Sequence, residues 1–63
     1  MDEAEVWREA QKLLDEHGKA AALCAAERAD ALLAAGDLAG SAEWLRVMLA
    51  ITSLQMPGGD RMH

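Results

Sequence analysis

The stretch that decides the fold is ADALLAAGDLAGSAEWLRVMLAITSLQ, residues 29–55. Two runs rich in alanine and leucine, both good helix formers, meet there at Gly36-Asp37. Glycine ends a helix by adopting the left-handed conformation, and aspartate begins one by accepting hydrogen bonds from free backbone N–H groups. The pair therefore predicts two helices joined by almost no loop. Asp37 is the preferred N-cap of the second of these helices, and Ser41 is an alternative N-cap.

The helix that follows Asp37 has more apolar surface than one small domain needs. A surface helix requires an apolar stripe of about 100° or a little more, whereas apolar residues cover two flanks of this one. One flank carries Leu38, Leu45, Met48, Leu49 and Thr52, and the other carries Trp44, Val47, Ile51 and Leu54. The arc expected to face solvent is narrow and consists of Glu43, Arg46, Ala50 and Ser53. We expect the first flank to pack inward and the second to form a contact surface, although Trp44 also fits a core role.

Two further helices are predicted upstream. Residues 19–35 are mostly alanine on one broad face, which contributes little apolar area but lets neighbouring helices approach closely. We expect this helix to be the central one. Residues 2–17 begin with Asp2 and Glu5 at the spacing of a capping box and continue as an amphipathic helix. Gly18 is expected to end it.

These elements predict a compact all-α, three-helix bundle with helices at about 2–17, 19–35 and 37–55. They form one domain, residues 1–55, followed by a flexible tail, residues 56–63, that contains Pro57 and two glycines. The chain has no Phe or Tyr, so Trp7 is expected to fill the middle of the bundle. The predicted core is Trp7, Leu13, Leu14, Ala25, Ala29, Leu32, Leu45 and Met48.

Composition limits the classes of partner. Eleven Asp and Glu against six Lys and Arg give a formal charge of −5, which disfavours nucleic acid and anionic membrane. No uninterrupted apolar run reaches the roughly 18 residues that a membrane-spanning helix needs. The single cysteine, Cys24, cannot form an intrachain disulfide, and the first residues are acidic where a signal peptide is basic. A cytoplasmic protein is expected.

The sequence contains no recognisable catalytic pattern. There is no Gly-rich phosphate loop, and His17, Cys24 and His63 do not have the spacing of a zinc site. We therefore predict no enzyme activity, no cofactor and no metal. His17 is interpreted as a favourable cation at a helix C-terminus, and Cys24 as a small buried hydrophobe. Arg28 is expected to orient packing, either by reaching a carboxylate or by stacking on a tryptophan.

A wider pattern spans Trp7 to Leu54. It comprises Trp7, the pair His17-Gly18, the segment Ala26-Glu27-Arg28, Gly36-Asp37 with Gly40, and Trp44. In this pattern the chain resembles a family of short bacterial helical proteins of unknown function. The resemblance implies a helical fold and no particular substrate or active site.

Two local likenesses concern the Gly-Asp-Leu turn. With Ser41, Leu45 and Met48 it is similar to one helical hairpin of a tetratricopeptide repeat, but a single repeat cannot bury its faces alone. It also has the outline of a DNA-binding helix-turn-helix. The reading helix would expose only Arg46 beside Glu43, too little positive charge for phosphate contacts.

We therefore predict a small non-enzymatic protein-interaction module, self-associating as a homodimer through the third helix or binding another protein. The alternative is a small acidic regulator or inhibitor, of phage-related type, that binds a basic surface of a larger protein. Its contact residues would be Asp2, Glu3, Glu5, Glu9, Asp15 and Glu16.

Overall fold

The computed structural model describes residues 1–55 and contains three α-helices. These are α1 (Glu3–His17), α2 (Ala21–Ala34) and α3 (Leu38–Gln55), with one turn of 3₁₀ helix at Gly18–Ala20. Within residues 1–55 no strand occurs. The predicted all-α bundle is confirmed. The predicted tail, residues 56–63, lies outside the described residues.

No non-helical residue separates α1, the 3₁₀ turn and α2, and the chain changes direction at this 3₁₀ turn. Gly18 has a φ of 57°, a conformation that glycine adopts without the steric cost of a Cβ. The predicted end of α1 is therefore correct. The start of α2 moves from Lys19 to Ala21, because the intervening residues take the tighter 3₁₀ geometry.

The start of α1 is fixed by the predicted capping box. The Glu5 N–H donates to Asp2 Oδ1 at 2.9 Å, and the Asp2 N–H donates to Glu5 Oε1 at 3.2 Å. Each side chain thus satisfies a backbone N–H that has no partner inside the helix.

The junction of α2 and α3 is a Schellman turn. Gly36, with a φ of 86°, donates its N–H to the Leu33 carbonyl at 3.0 Å, and Asp37 donates to the Leu32 carbonyl at 2.8 Å. The last carbonyls of α2 are satisfied in this way while the chain reverses. The predicted short connection is confirmed.

Asp37 begins α3, and the alternative start at Ser41 is wrong. Asp37 Oδ1 accepts a hydrogen bond from the Gly40 N–H at 2.8 Å, whereas Ser41 is buried inside the first turn of the helix. Gly40 suits this cap because a Cβ at its position would lie 2.8 Å from the carboxylate carbon of Asp37. A side chain there would displace the cap.

Helix α1 lies along α3 and runs in the same direction. The amino group of Met1 contacts the Glu43 carboxylate at one end, and Gln55 Nε2 donates to the Gly18 carbonyl at 3.1 Å at the other. Helix α2, joined to α3 by the tight turn, runs antiparallel to both. The three helices therefore form an up-down-up bundle.

The core contains many small side chains. Its buried residues are Val6, Ala10, Ala21, Ala25, Val47, Ala50 and Ile51. Helix α2 contributes only alanine to this cluster, and Ala29 is buried beyond it. The predicted central position of α2 is wrong, because α1 packs more extensively on α3 than on α2. The largest fully buried side chains, Ile51 and Val47, both come from α3. Four residues of the predicted core are half-buried: Leu13, Leu14, Leu32 and Met48.

Two predicted core residues are exposed. Trp7 is 39% exposed and Leu45 is 43% exposed. The expectation that the bundle needs a tryptophan at its centre is wrong, because alanines bring the helices too close to leave space for an indole between them. Trp7 lies at the edge of the α1–α3 contact instead.

The rotation of α3 about its axis is the opposite of the predicted one. Val47 and Ile51, expected on a contact surface, are both 0% exposed. Ala50, expected to face solvent, is 5% exposed because it joins Val6 and Ala10 of α1 in the core. The flank with Val47 and Ile51 packs inward, where compact β-branched side chains fit between closely approaching alanine faces.

Candidate interaction surface

The outward side of α3 is apolar. Leu38, Leu45 and Leu49 are 68%, 43% and 61% exposed. At 100° per residue these positions lie about opposite Val47, the most central residue of the helix. One helix therefore presents an apolar face to the core and a second apolar face to solvent.

The exposed residues form a regular line, which we call the leucine stripe: Leu38, Ala42, Leu45, Leu49 and Thr52. Successive members are four, three, four and three residues apart, so they fall within an arc of about 80°. This is the spacing by which one helix packs along another in a coiled coil. The stripe carries no charged side chain.

A groove between α1 and α3 extends the stripe sideways. It has a volume of about 230 Å³ and is lined by Glu3, Val6, Trp7, Arg46, Leu49, Ala50 and Ser53. Leu49 belongs to both the stripe and the groove, so the half-exposed indole of Trp7 continues the same apolar surface. Tryptophan and arginine are enriched where proteins meet.

Two opposite charges stand at this groove. Glu3 and Arg46 are both exposed, and neither forms an ion pair with another residue of the described range 1–55. They lie on different helices and line the same depression. The surface therefore has an apolar centre with one acid and one base at its edge.

A second pocket lies where all three helices meet. It has a volume of about 360 Å³ and is lined by Leu13, His17, Cys24, Glu27, Arg28 and Trp44. The guanidinium carbon of Arg28 lies 4.7 Å from the centroid of the Trp44 ring, a cation–π distance. Of the alternatives for Arg28, stacking on a tryptophan is the one that the structure shows.

The titratable groups of this second pocket do not form a metal centre. Within residues 1–55, no three His, Cys, Asp or Glu side chains are placed to hold a metal ion. His17 Nε2 lies 3.8 Å from the Glu16 carboxylate at the end of α1. Cys24, interpreted as a small buried hydrophobe, is only half-buried and lines this pocket.

The structure separates the four predicted contact residues. Val47 and Ile51 are in the core, Trp44 is half-buried beneath Arg28, and Leu54 is 41% exposed. The prediction of a surplus apolar face on α3 is correct, but the residues that form it are those of the leucine stripe. Side-chain volume along α3 does not distinguish the two flanks, because the buried Val47 and Ile51 are no larger than the exposed Leu45 and Leu49.

The described helices include none with both the length and the apolar character needed to cross a bilayer. Comparisons with protein-family models, curated proteins and solved structures find no match. The resemblance to short bacterial helical proteins therefore stays a prediction.

Proposed function

We propose that this chain is a small non-enzymatic protein-interaction module that self-associates through α3. The observation that supports the proposal is the leucine stripe, three large exposed side chains aligned on the side of α3 away from the core. Single exposed leucines are common on protein surfaces, whereas aligned apolar patches mark sites of association.

The energetics favour covering this surface. Full burial of a leucine side chain stabilises by about 1.5–3 kcal/mol. In a symmetric contact each copy contributes Leu38, Leu45 and Leu49, so six leucines lose water together. The gain competes with the loss of rotational and translational freedom on association, about 4–15 kcal/mol. An association of moderate strength, dependent on protein concentration, is expected.

The composition of the core adds a second reason. In a 63-residue chain whose helix α2 buries only alanine, the apolar area lost from water on folding is small. Small domains of this kind commonly gain stability from a second subunit. Self-association would supply apolar burial that the single chain lacks.

Sedimentation velocity with two matched glutamate variants tests the proposal. Leu49 in the stripe and Leu23 on α2 are both 61% exposed, so Leu49→Glu and Leu23→Glu make the same chemical change at equal exposure. We expect wild type and Leu23→Glu to associate as concentration rises and Leu49→Glu to stay monomeric. A wild-type chain that is monomeric up to millimolar concentration would contradict the proposal. An equal loss of association in Leu49→Glu and Leu23→Glu would also contradict the proposal.

The alternative function, an acidic regulator that binds a basic protein, is supported by the exposure of Glu3, Asp15 and Glu16 on α1. Asp2 and Glu5, also on its predicted surface, are engaged in the capping box. Ionic strength distinguishes the two functions. A complex driven by charge weakens steeply between low and high salt, whereas contact through the leucine stripe does not.

A further inference from the structure

We infer that the occupant of the leucine stripe is a second copy of this chain whose α3 runs antiparallel to the first, with Glu3 of each copy beside Arg46 of the other. This inference rests on the proposed function and specifies its geometry. The net charge of the chain limits which surfaces of two copies can meet. The chain carries a net charge of −5, so two copies repel each other least when they meet at a surface free of carboxylates. The stripe is such a surface.

The edge charges make the surface complementary to itself. The groove beside the stripe carries one carboxylate, Glu3, and one guanidinium, Arg46, both exposed and without an ion-pair partner among residues 1–55. In a two-fold contact the same surface is used twice, so an acid on one copy meets a base on the other. A partner of different sequence would need its own matching pair, whereas a second copy supplies it automatically.

The two edges of the stripe decide the orientation. One edge carries Arg46 and adjoins α1 with Glu3, and the other edge carries the half-buried Met48 and no charged residue of α3. Parallel helices bring unlike edges together, so Arg46 would meet neutral side chains. Antiparallel helices bring like edges together, so Arg46 meets the α1 edge of the other copy. The ion pairs therefore select the antiparallel arrangement.

The register follows from the leucines. When the two-fold axis passes between residues 43 and 44, Leu38 faces Leu49 of the other copy and Ala42 faces Leu45. Each of these layers contains a leucine, Thr52 lies beyond the paired segment, and the small Ala42 lets the helices approach. Met1 contacts Glu43 and Glu3 shares a groove with Arg46, so Glu3 of the second copy falls about one helical turn from Arg46 of the first. The arginine side chain spans that offset.

Cysteine cross-linking tests the orientation. The only native thiol is removed with Cys24→Ser, and Leu38→Cys or Leu49→Cys is added. In the antiparallel register the two copies of position 38 are about 16 Å apart, too far for a disulfide, whereas positions 38 and 49 are adjacent. We expect mild oxidation to link a mixture of the two variants and neither variant alone. Linkage of each variant with itself would overturn the inference and leave self-association intact.

Mixing two charge variants tests the ion pair. Glu3→Arg and Arg46→Glu each place like charges together, both across the contact and inside their own chain. When the two variants are mixed, only the contacts between copies regain opposite charges, so a preference for mixed dimers isolates the intermolecular pair. We expect each single variant to dissociate about three- to tenfold more readily than wild type, and mixed dimers to exceed the statistical half.

The outcomes separate the inference from the proposed function. If sedimentation shows association of wild type but the mixed dimers form only at the statistical fraction, the Glu3–Arg46 contact is refuted and self-association stands. If wild type remains monomeric, both the proposed function and this inference are refuted. The mixed-dimer preference should also diminish at high salt, because an edge ion pair is screened.

Discussion

The two sides of α3 have the same spacing and opposite surroundings. The inward side carries Trp44, Val47, Ile51 and Leu54, and the outward side carries the leucine stripe. Residues on each side are separated by three or four positions, so each has the pattern of a helix-packing face. Yet Ile51 is fully buried and Leu49 is 61% exposed. Apolar spacing alone therefore does not say which side of a helix enters the core.

The difference between the sides lies in what α2 leaves to be filled. Helix α2 buries Ala21, Ala25 and Ala29, whose methyl groups bring its neighbours close but occupy little volume. Val47 and Ile51 have the branched bulk that fits this space. The outward side combines three leucines with the smaller Ala42 and Thr52. This combination suits packing against a further helix, which the single chain does not provide at this side.

A pair of alanine substitutions tests this comparison most strongly. Ile51→Ala removes a fully buried side chain and leaves a cavity, so the free energy of unfolding should fall by about 2–5 kcal/mol. Leu49→Ala removes a side chain that solvent already reaches, and the expected loss in the monomer is well under half of that. Chemical denaturation of both variants, at a concentration where the chain is monomeric, measures the difference.

Equal losses for the two variants would contradict the assigned rotation of α3. A further comparison sharpens the result, because Leu49→Ala should weaken association while Ile51→Ala should act through folding. Sedimentation of the fraction that remains folded separates the two effects.

The sequence predicts most of the fold because the deciding signals are local. The capping box of Asp2 and Glu5, the glycine at position 18 and the Gly36-Asp37 turn each depend on residues within one helical turn. The all-α class and the tight connection between α2 and α3 follow from these signals and from composition, whereas the central helix is α3 and not the alanine-rich α2. Helix bounds shift by only a few residues.

The orientation of α3 could not be predicted in the same way, because it depends on volumes contributed by three helices at once. The same limit explains Trp7, which was expected in the core because of its size. Its size in fact excludes it from a closely packed alanine interface. The sequence predicts a surplus apolar face on α3, but the residues that form it can be named only from the burial of each side chain in the structure.

The N-cap of α3 provides a test with a smaller expected effect, because it fixes where both faces of the helix begin. Asp37→Ala removes the acceptor of the Gly40 N–H and should lower the free energy of unfolding by about 1 kcal/mol. Asp37→Asn is the matched control, because asparagine caps nearly as well, and it should stay close to wild type. Thermal and chemical denaturation measure both variants. A cost for Asn equal to that for Ala would mean that capping is not the role of Asp37.

The smallest expected effect concerns Arg28, which covers Trp44 at the edge of the inward side. Its guanidinium lies 4.7 Å from the ring centroid and is accessible to solvent, so the cation–π contact is worth about 0.5–1 kcal/mol. Arg28→Met keeps the apolar stem and loses the charge, and should reduce stability by that amount. In a Trp7→Phe background, where Trp44 is the only tryptophan, its fluorescence should also change.

A double-mutant cycle decides whether Arg28 acts through Trp44. The coupling energy between Arg28→Met and Trp44→Leu should equal most of the cost of Arg28→Met, because within residues 1–55 the guanidinium forms no hydrogen bond or ion pair besides its contact with the ring. A coupling near zero would mean that the contact contributes nothing to folding. Arg28 would then be free to bind elsewhere, and the inward side of α3 would end at Val47 and Ile51.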